Sequence, residues 1–145
     1  MSVIKINGQF KNDEERQGFL AGFPQSVPQL QTLVDAQNSR YAYVDAMREL
    51  ACEADVSALG YFFQSNQRSK DLLNGAVALA SNGLPLPEVW RSTNNVNVSI
   101  NSIADLLAIA GAMAVAVQAA YLHSWVLKAQ IEAALDIDSV NSIVW

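Results

Sequence analysis

Apolar and polar positions alternate or recur at helical spacing in a fixed order along the chain, and the order is used twice. Around Asn7-Gly8, the run Ile4–Phe10 alternates and predicts a short hairpin, and Asp13–Leu20 predicts a short helix that Gly22 and Pro24 end. Ser26-Val27-Pro28-Gln29 has the form of a capping box and predicts a long helix over about Val27–Glu53. Its apolar stripe would hold Leu30, Val34, Tyr41, Val44 and Ala51, with Leu33, Tyr43, Met47 and Leu50 beside it, leaving Asp35, Arg40, Asp45 and Glu49 to water. Val56–Phe63, aromatic and β-branched around Gly60, predicts a strand or hairpin arm. Ser65 is expected to cap a helix that runs to about Ser81 and ends at Asn82-Gly83. The order then repeats: Val89–Arg91 and Val96–Ile100 flank Asn94-Asn95 as a second hairpin, and Ser102–Asp105 reads as a capping box.

From Ile103 to about Leu135 there is no proline, and alanine, leucine, methionine and glutamine dominate, which predicts one helix of roughly 33 residues, about 50 Å long. Ala104, Ala108, Ala112, Ala116 and Ala120 recur every four residues. Such a ridge of small side chains lets another backbone approach closely. Leu107, Met113, Val117, Tyr121, Trp125 and Val126 flank it, and Asp136–Ile143 predicts a terminal helical turn. The fold class is mainly α (α+β): long helices with two small β-hairpins and an oligomeric helical core. Residues 1–25 form an N-terminal segment and 26–145 the helical domain.

Charge changes this picture. Nine Lys and Arg stand against fourteen Asp and Glu, net −5, and only five of these 23 charges, Asp105, Lys128, Glu132, Asp136 and Asp138, lie after Ser92. A helix apolar all round is buried in protein or lipid, so this segment is expected to be covered by another protein surface. Leu106–Leu127 carries no charge and is long enough to span a bilayer, which keeps a small membrane-active protein inserting 106–127 as the alternative. Alanine-rich composition, Gln118, Tyr121, His123 and Ser124 within it, and Lys128 as its one flanking base favour no membrane. The acidic balance and absence of basic runs argue against nucleic acid. With no apolar leader at Met1–Lys5, synthesis in a cytoplasm is expected.

Catalytic chemistry finds little to stand on. Adjacent His123 and Ser124 point about 100° apart on a helix, and Cys52 is the one cysteine, so a hydrolase using Cys52 or His123 is a third, weaker reading. No metal-ligand spacing, phosphate loop or dinucleotide fingerprint occurs, and neither cofactor nor metal is expected. Trp90 is expected in a local core. For Trp125 and Trp145, interface and intrachain core stay open. The expected partner or oligomer interface comprises Ala108, Ala112, Ala116, Tyr121, Trp125 and Trp145.

Tyr61-Phe62-Phe63-Gln64-Ser65-Asn66-Gln67-Arg68-Ser69 leading to Leu72–Ala76, then Trp90-Arg91-Ser92-Thr93-Asn94-Asn95, Val98, Ile103–Leu106 and the ending Ile131–Ala134 to Ile143–Trp145, resemble an uncharacterised domain family of tailed-phage tail proteins. That family recurs in or beside tail-fibre assembly proteins, and the likeness covers about residues 28–145. The resemblance implies a phage tail component that helps a trimeric fibre fold or stays attached to it: a tail-fibre assembly factor or permanent structural subunit, with a tail-fibre protein as partner. It would be made in the host cytoplasm and end in the virion, acting by binding rather than catalysis.

Overall fold

Four helices and two separate hairpins make up residues 30–145, the part described by the computed structural model, and 61% of these residues are helical. The order is α1 (Leu33–Cys52), β1 (Val56–Ala58), β2 (Tyr61–Phe63), α2 (Gln67–Ser81), β3 (Val89–Arg91), β4 (Asn97–Ser99), α3 (Ile103–Ala133) and α4 (Ile137–Asn141). The fold is therefore mainly α with a little β, as the hydrophobic pattern predicts. The expected hairpin at Ile4–Phe10, helix at Asp13–Leu20 and capping box at Ser26–Gln29 lie outside the described residues.

Each hairpin is antiparallel and buries one side. In the first, Val56 faces Phe63 and Ser57 faces Phe62. Val56 and Phe63 are buried while Phe62 is 58% exposed, the two-residue period of a strand. Leu59 and Gly60 turn the chain with φ of 54° and 80°, the left-handed pair that a two-residue hairpin turn requires. In the second, Trp90 faces Val98, and Asn95 takes the expected left-handed position at φ 61°. The Thr93 amide donates to the Phe62 carbonyl at 2.9 Å and ties one hairpin to the other.

The helix ends follow the sequence with two corrections. Gly83, at φ 84°, ends α2: its amide donates to Ala80 and the Leu84 amide to Leu79, so the last carbonyls are satisfied. The residue that caps the start of α2 is Asn66, whose Oδ1 accepts from the Ser69 amide at 2.8 Å, and not Ser65. Strand alternation continues past β2, so Ser65 follows Phe63 inward and is fully buried. Its Oγ has no hydrogen-bond partner among the described residues. Ser102 precedes α3 but makes no side-chain cap bond, and Asp105 Oδ2 reaches past it to accept from the Asn101 amide at 2.8 Å, so neither half of the expected box forms.

Helix α1 begins at Leu33 rather than Val27, and its inward face matches the expected stripe only in part: Val44 is buried and Leu33, Tyr41 and Tyr43 pack beside it. Leu30, Val34 and Leu50 are 92%, 61% and 67% exposed, whereas Ala36, Val44 and Cys52 are buried. The inward face is partly polar, which misleads a reading based on apolar spacing. Gln37 Nε2 donates to the Ile131 carbonyl, and Arg40 Nη2 to the Asn141 carbonyl while it lies over the Tyr43 ring.

All of this is arranged on one side of α3. Its buried residues Leu106, Ile109, Met113, Ala120, Ser124, Leu127 and Ile131 follow one helical stripe. The first three join Val56, Phe63, Leu73, Val98 and Ile100 in a core beneath the hairpins and α2. Leu127 and Ile131 join Ala36, Val44 and Val140 in a second core beneath α1 and α4.

Candidate functional site

Among the described residues, no element covers the opposite face of α3. Leu107, Val115, Leu122, Trp125 and Val126 are 49–67% exposed along it. Between them lie Ala104, Ala108, Gly111, Gln118 and Ala129, all exposed. Positions 104, 108, 111, 115, 118, 122, 125 and 129 alternate steps of four and three, the 3.5-residue repeat of a seam where helices pack side by side. No charged residue stands between Asp105 and Lys128.

One edge of this face is fixed electrostatically. Lys128 Nζ lies 2.6 Å from Asp45 Oδ1, and Arg48 bridges Asp45 and Glu49 at 2.9 Å each. The hydrogen bond from Lys128, followed by the field of Lys128 and Arg48, holds the Asp45 carboxyl below its ordinary value. Arg48 also lies over the Tyr121 ring, 4.6 Å from its centroid, and Tyr121 meets Trp125 edge to face at 6.3 Å. Trp125 is thus propped from α1 while its indole remains 58% exposed.

The expected interface residues divide between two sides. Ala108 and Trp125 lie on the bare face, and Tyr121 sits at its edge. Ala112 and Ala116 pack against the core under the hairpins, and Ala120 is buried. A four-residue step rotates about 40° around a helix, so an alanine at every fourth position winds from the outside inward instead of lining one face. Trp145 docks within its own chain: its ring meets His123 edge to face at 4.6 Å and its amide donates to Tyr43 Oη at 3.2 Å. The intrachain alternative therefore holds for Trp145. Val115 and Leu122 escaped the sequence reading, although the alternating steps of three and four were legible there.

The groups weighed for chemistry find structural partners. Ser124 Oγ is buried and donates to the Tyr121 carbonyl at 2.7 Å, while His123 stacks on Trp145. Cys52 is buried at the end of α1, where its carbonyl accepts from Lys70 Nζ. Among the described residues no group of three or more His, Cys, Asp or Glu could hold a metal ion. An open cleft of about 300 Å³ between α2 and α3 has Ala110, Met113 and Val117 along its floor and Lys70, Asn74 and Gln118 at its rim.

A family model described as a domain of unknown function, DUF4376, matches residues 35–143, from the first turns of α1 to the segment after α4. The chain belongs to the DUF4376 family. The match takes in both hairpins and the whole of α3, so the bare face lies inside the DUF4376 domain and not in an appendage to it. No curated protein and no solved structure matches the chain at a significant level.

Proposed function

We propose that this DUF4376 domain is a non-enzymatic component of a phage tail, acting as a tail-fibre assembly factor or a permanent fibre-associated subunit. It binds apolar surface of the fibre, is made in the host cytoplasm and ends in the virion. The phage setting rests on the resemblance described above. The mode of action rests on one observation, the uncharged apolar face that runs the length of α3 with nothing from the described residues over it. A fibre end that exposes apolar surface before assembly is prone to aggregate, and a partner that covers it shifts the equilibrium toward the assembly-competent state without any nucleotide.

The membrane reading draws on the same helix, which has 31 residues and holds an 18-residue stretch with a mean hydropathy of 1.9. Against it stands α1, which packs along the second half of α3 and presents Asp45 and Arg48 there, with Lys128 from α3 itself. Insertion of 106–127 would carry these charges toward hydrocarbon at about 2.5–3.5 kcal/mol each, or strip α1 from its core.

The test is co-expression with a trimeric phage tail-fibre protein. Soluble trimeric fibre should rise and the domain should co-purify with it, and Val115→Lys should abolish both effects. Unchanged fibre yield without co-purification overturns the proposal. Recovery of the domain only in detergent would favour membrane insertion instead.

A further inference from the structure

We propose that the bare face of α3 takes a second copy of this chain, antiparallel to the first, with the bulky carboxyl half of one helix on the small-residue amino half of the other. This rests on the reading above that the face binds protein, and it names the first partner.

Three observations carry it. The first is area. The residual exposure of Leu107, Val115, Leu122, Trp125 and Val126 amounts to roughly 500 Å² before the alanines and Gly111 between them are counted, which approaches the ~800 Å² per partner of a specific interface. The second is a gradient of size along the seam. Its amino half presents Ala104, Ala108 and Gly111 beside Leu107, and its carboxyl half Leu122, Trp125 and Val126 before Ala129, about a midpoint near Gln118. Helix separation follows the side chains at the contact, so a parallel pair would set tryptophan against tryptophan at one end and leave a gap beside paired glycines at the other. Reversal of one helix sets Trp125 against Ala108 and Leu122 against Gly111, in a two-fold interface with matched patches.

The third observation is the pair of groups best placed to use this geometry. Gln118, the polar position in the middle of the seam, falls beside the two-fold axis, where an amide with both donor and acceptor can pair with its own copy. A single polar residue in an apolar seam fixes register in this way. Trp125, already held by Tyr121 and Arg48, forms the anchor, so little side-chain freedom is lost when the copies meet. A Cβ at Gly111 would meet nothing within 4 Å, so the amino half offers open space for a large side chain from the other copy.

Light-scattering mass of the full chain should read twice 15.7 kDa, and Val115→Lys should halve it with unchanged circular dichroism, since Val115 is 67% exposed. In a Cys52→Ala background, Gly111→Cys and Leu122→Cys chains mixed after exchange should cross-link to each other under mild oxidation, and Gly111→Cys alone should not cross-link to itself. A monomeric chain, a dimer insensitive to Val115→Lys, or like-to-like cross-links overturns the proposal. A monomer that still co-purifies with fibre through this face overturns self-pairing alone. An unsubstituted chain that is monomeric and also fails to co-purify with fibre would remove the proposed function as well.

Discussion

Leu106→Ala and Leu107→Ala truncate neighbouring side chains of one kind on one helix, and together they test which face of α3 is the inside. Successive helical side chains point about 100° apart. Leu106 is fully buried and Leu107 is 49% exposed. Removal of three carbons from Leu106 forfeits ~0.8 kcal/mol each in transfer free energy. The cavity left among Phe63, Leu73 and Ile109 raises the loss to about 3–4 kcal/mol. The same cut at Leu107 forfeits about half the transfer and leaves no cavity, while alanine's slightly better helix propensity offsets part of it, so the loss stays below ~1 kcal/mol. At ~2–4 °C per kcal/mol for a chain of this size, Tm should fall by about 10 °C in the first variant and by about 3 °C or less in the second. Circular dichroism melts at high dilution, where association contributes nothing, measure both. Equal losses would refute the division of α3 into a folded face and a free one.

Three further outcomes follow from local geometry. Ser65→Ala should leave stability unchanged or raise it by about 1 kcal/mol in urea denaturation, because a buried hydroxyl without a partner has lost its water and gained nothing. Gly60→Ala should lower stability by ~1–2 kcal/mol through backbone strain alone, since the site is at φ 80° and its Cβ would meet no atom within 4 Å. The Asp45 carboxyl, held below its ordinary 3.8 chiefly by Lys128, stabilises the fold fully above that value and loses this contribution as pH falls through the lower folded value. Asp45→Asn should therefore flatten the acid limb of a stability-against-pH curve, by a small amount because the carboxylate is 43% exposed. An unchanged acid limb would show that the ion pair adds nothing.

Wherever a local rule acts alone, the sequence is a sufficient guide. Gly60, Asn95 and Gly83 each occupy the left-handed position that their turn or helix end needs, so the second hairpin and the end of α2 were legible, while Val56–Phe63, read as a strand or hairpin arm, is a complete hairpin. The run without proline from Ile103 places α3 to within two residues of its observed end at Ala133. Tertiary contacts decide the rest. Which way α1 turns depends on Gln37 and Arg40 reaching carbonyls 94 and 101 residues away, a purchase that apolar spacing does not register. Ser65 and Asn66 are both acceptable caps, and the strand pleat running on from Phe63 assigns the role to the second. In the candidate site, poverty of charge pointed to the helix that carries the bare face, while the four-residue alanine repeat crosses from that face to the buried one.

Exposed apolar residues alone would carry little weight, since about 55–60% of an ordinary protein surface is apolar. Val34, Leu50, Leu72 and Leu79 are 54–67% exposed on α1 and α2 and belong to that background. The bare face of α3 differs because its apolar residues are aligned and no charge interrupts them. Folding uses the opposite stripe of the helix, through Leu106, Ile109, Met113, Leu127 and Ile131. Lysine or glutamate at 104, 108, 111, 115, 118, 119 or 122 would therefore have left both cores intact and improved solubility, yet none of these positions carries a charge. A stripe that the fold of the described residues does not require, and that water does not favour, supports the proposal that a protein surface lies against it. The halving of mass expected for Val115→Lys follows from that argument directly, because the substitution changes the free face and leaves the folded one untouched.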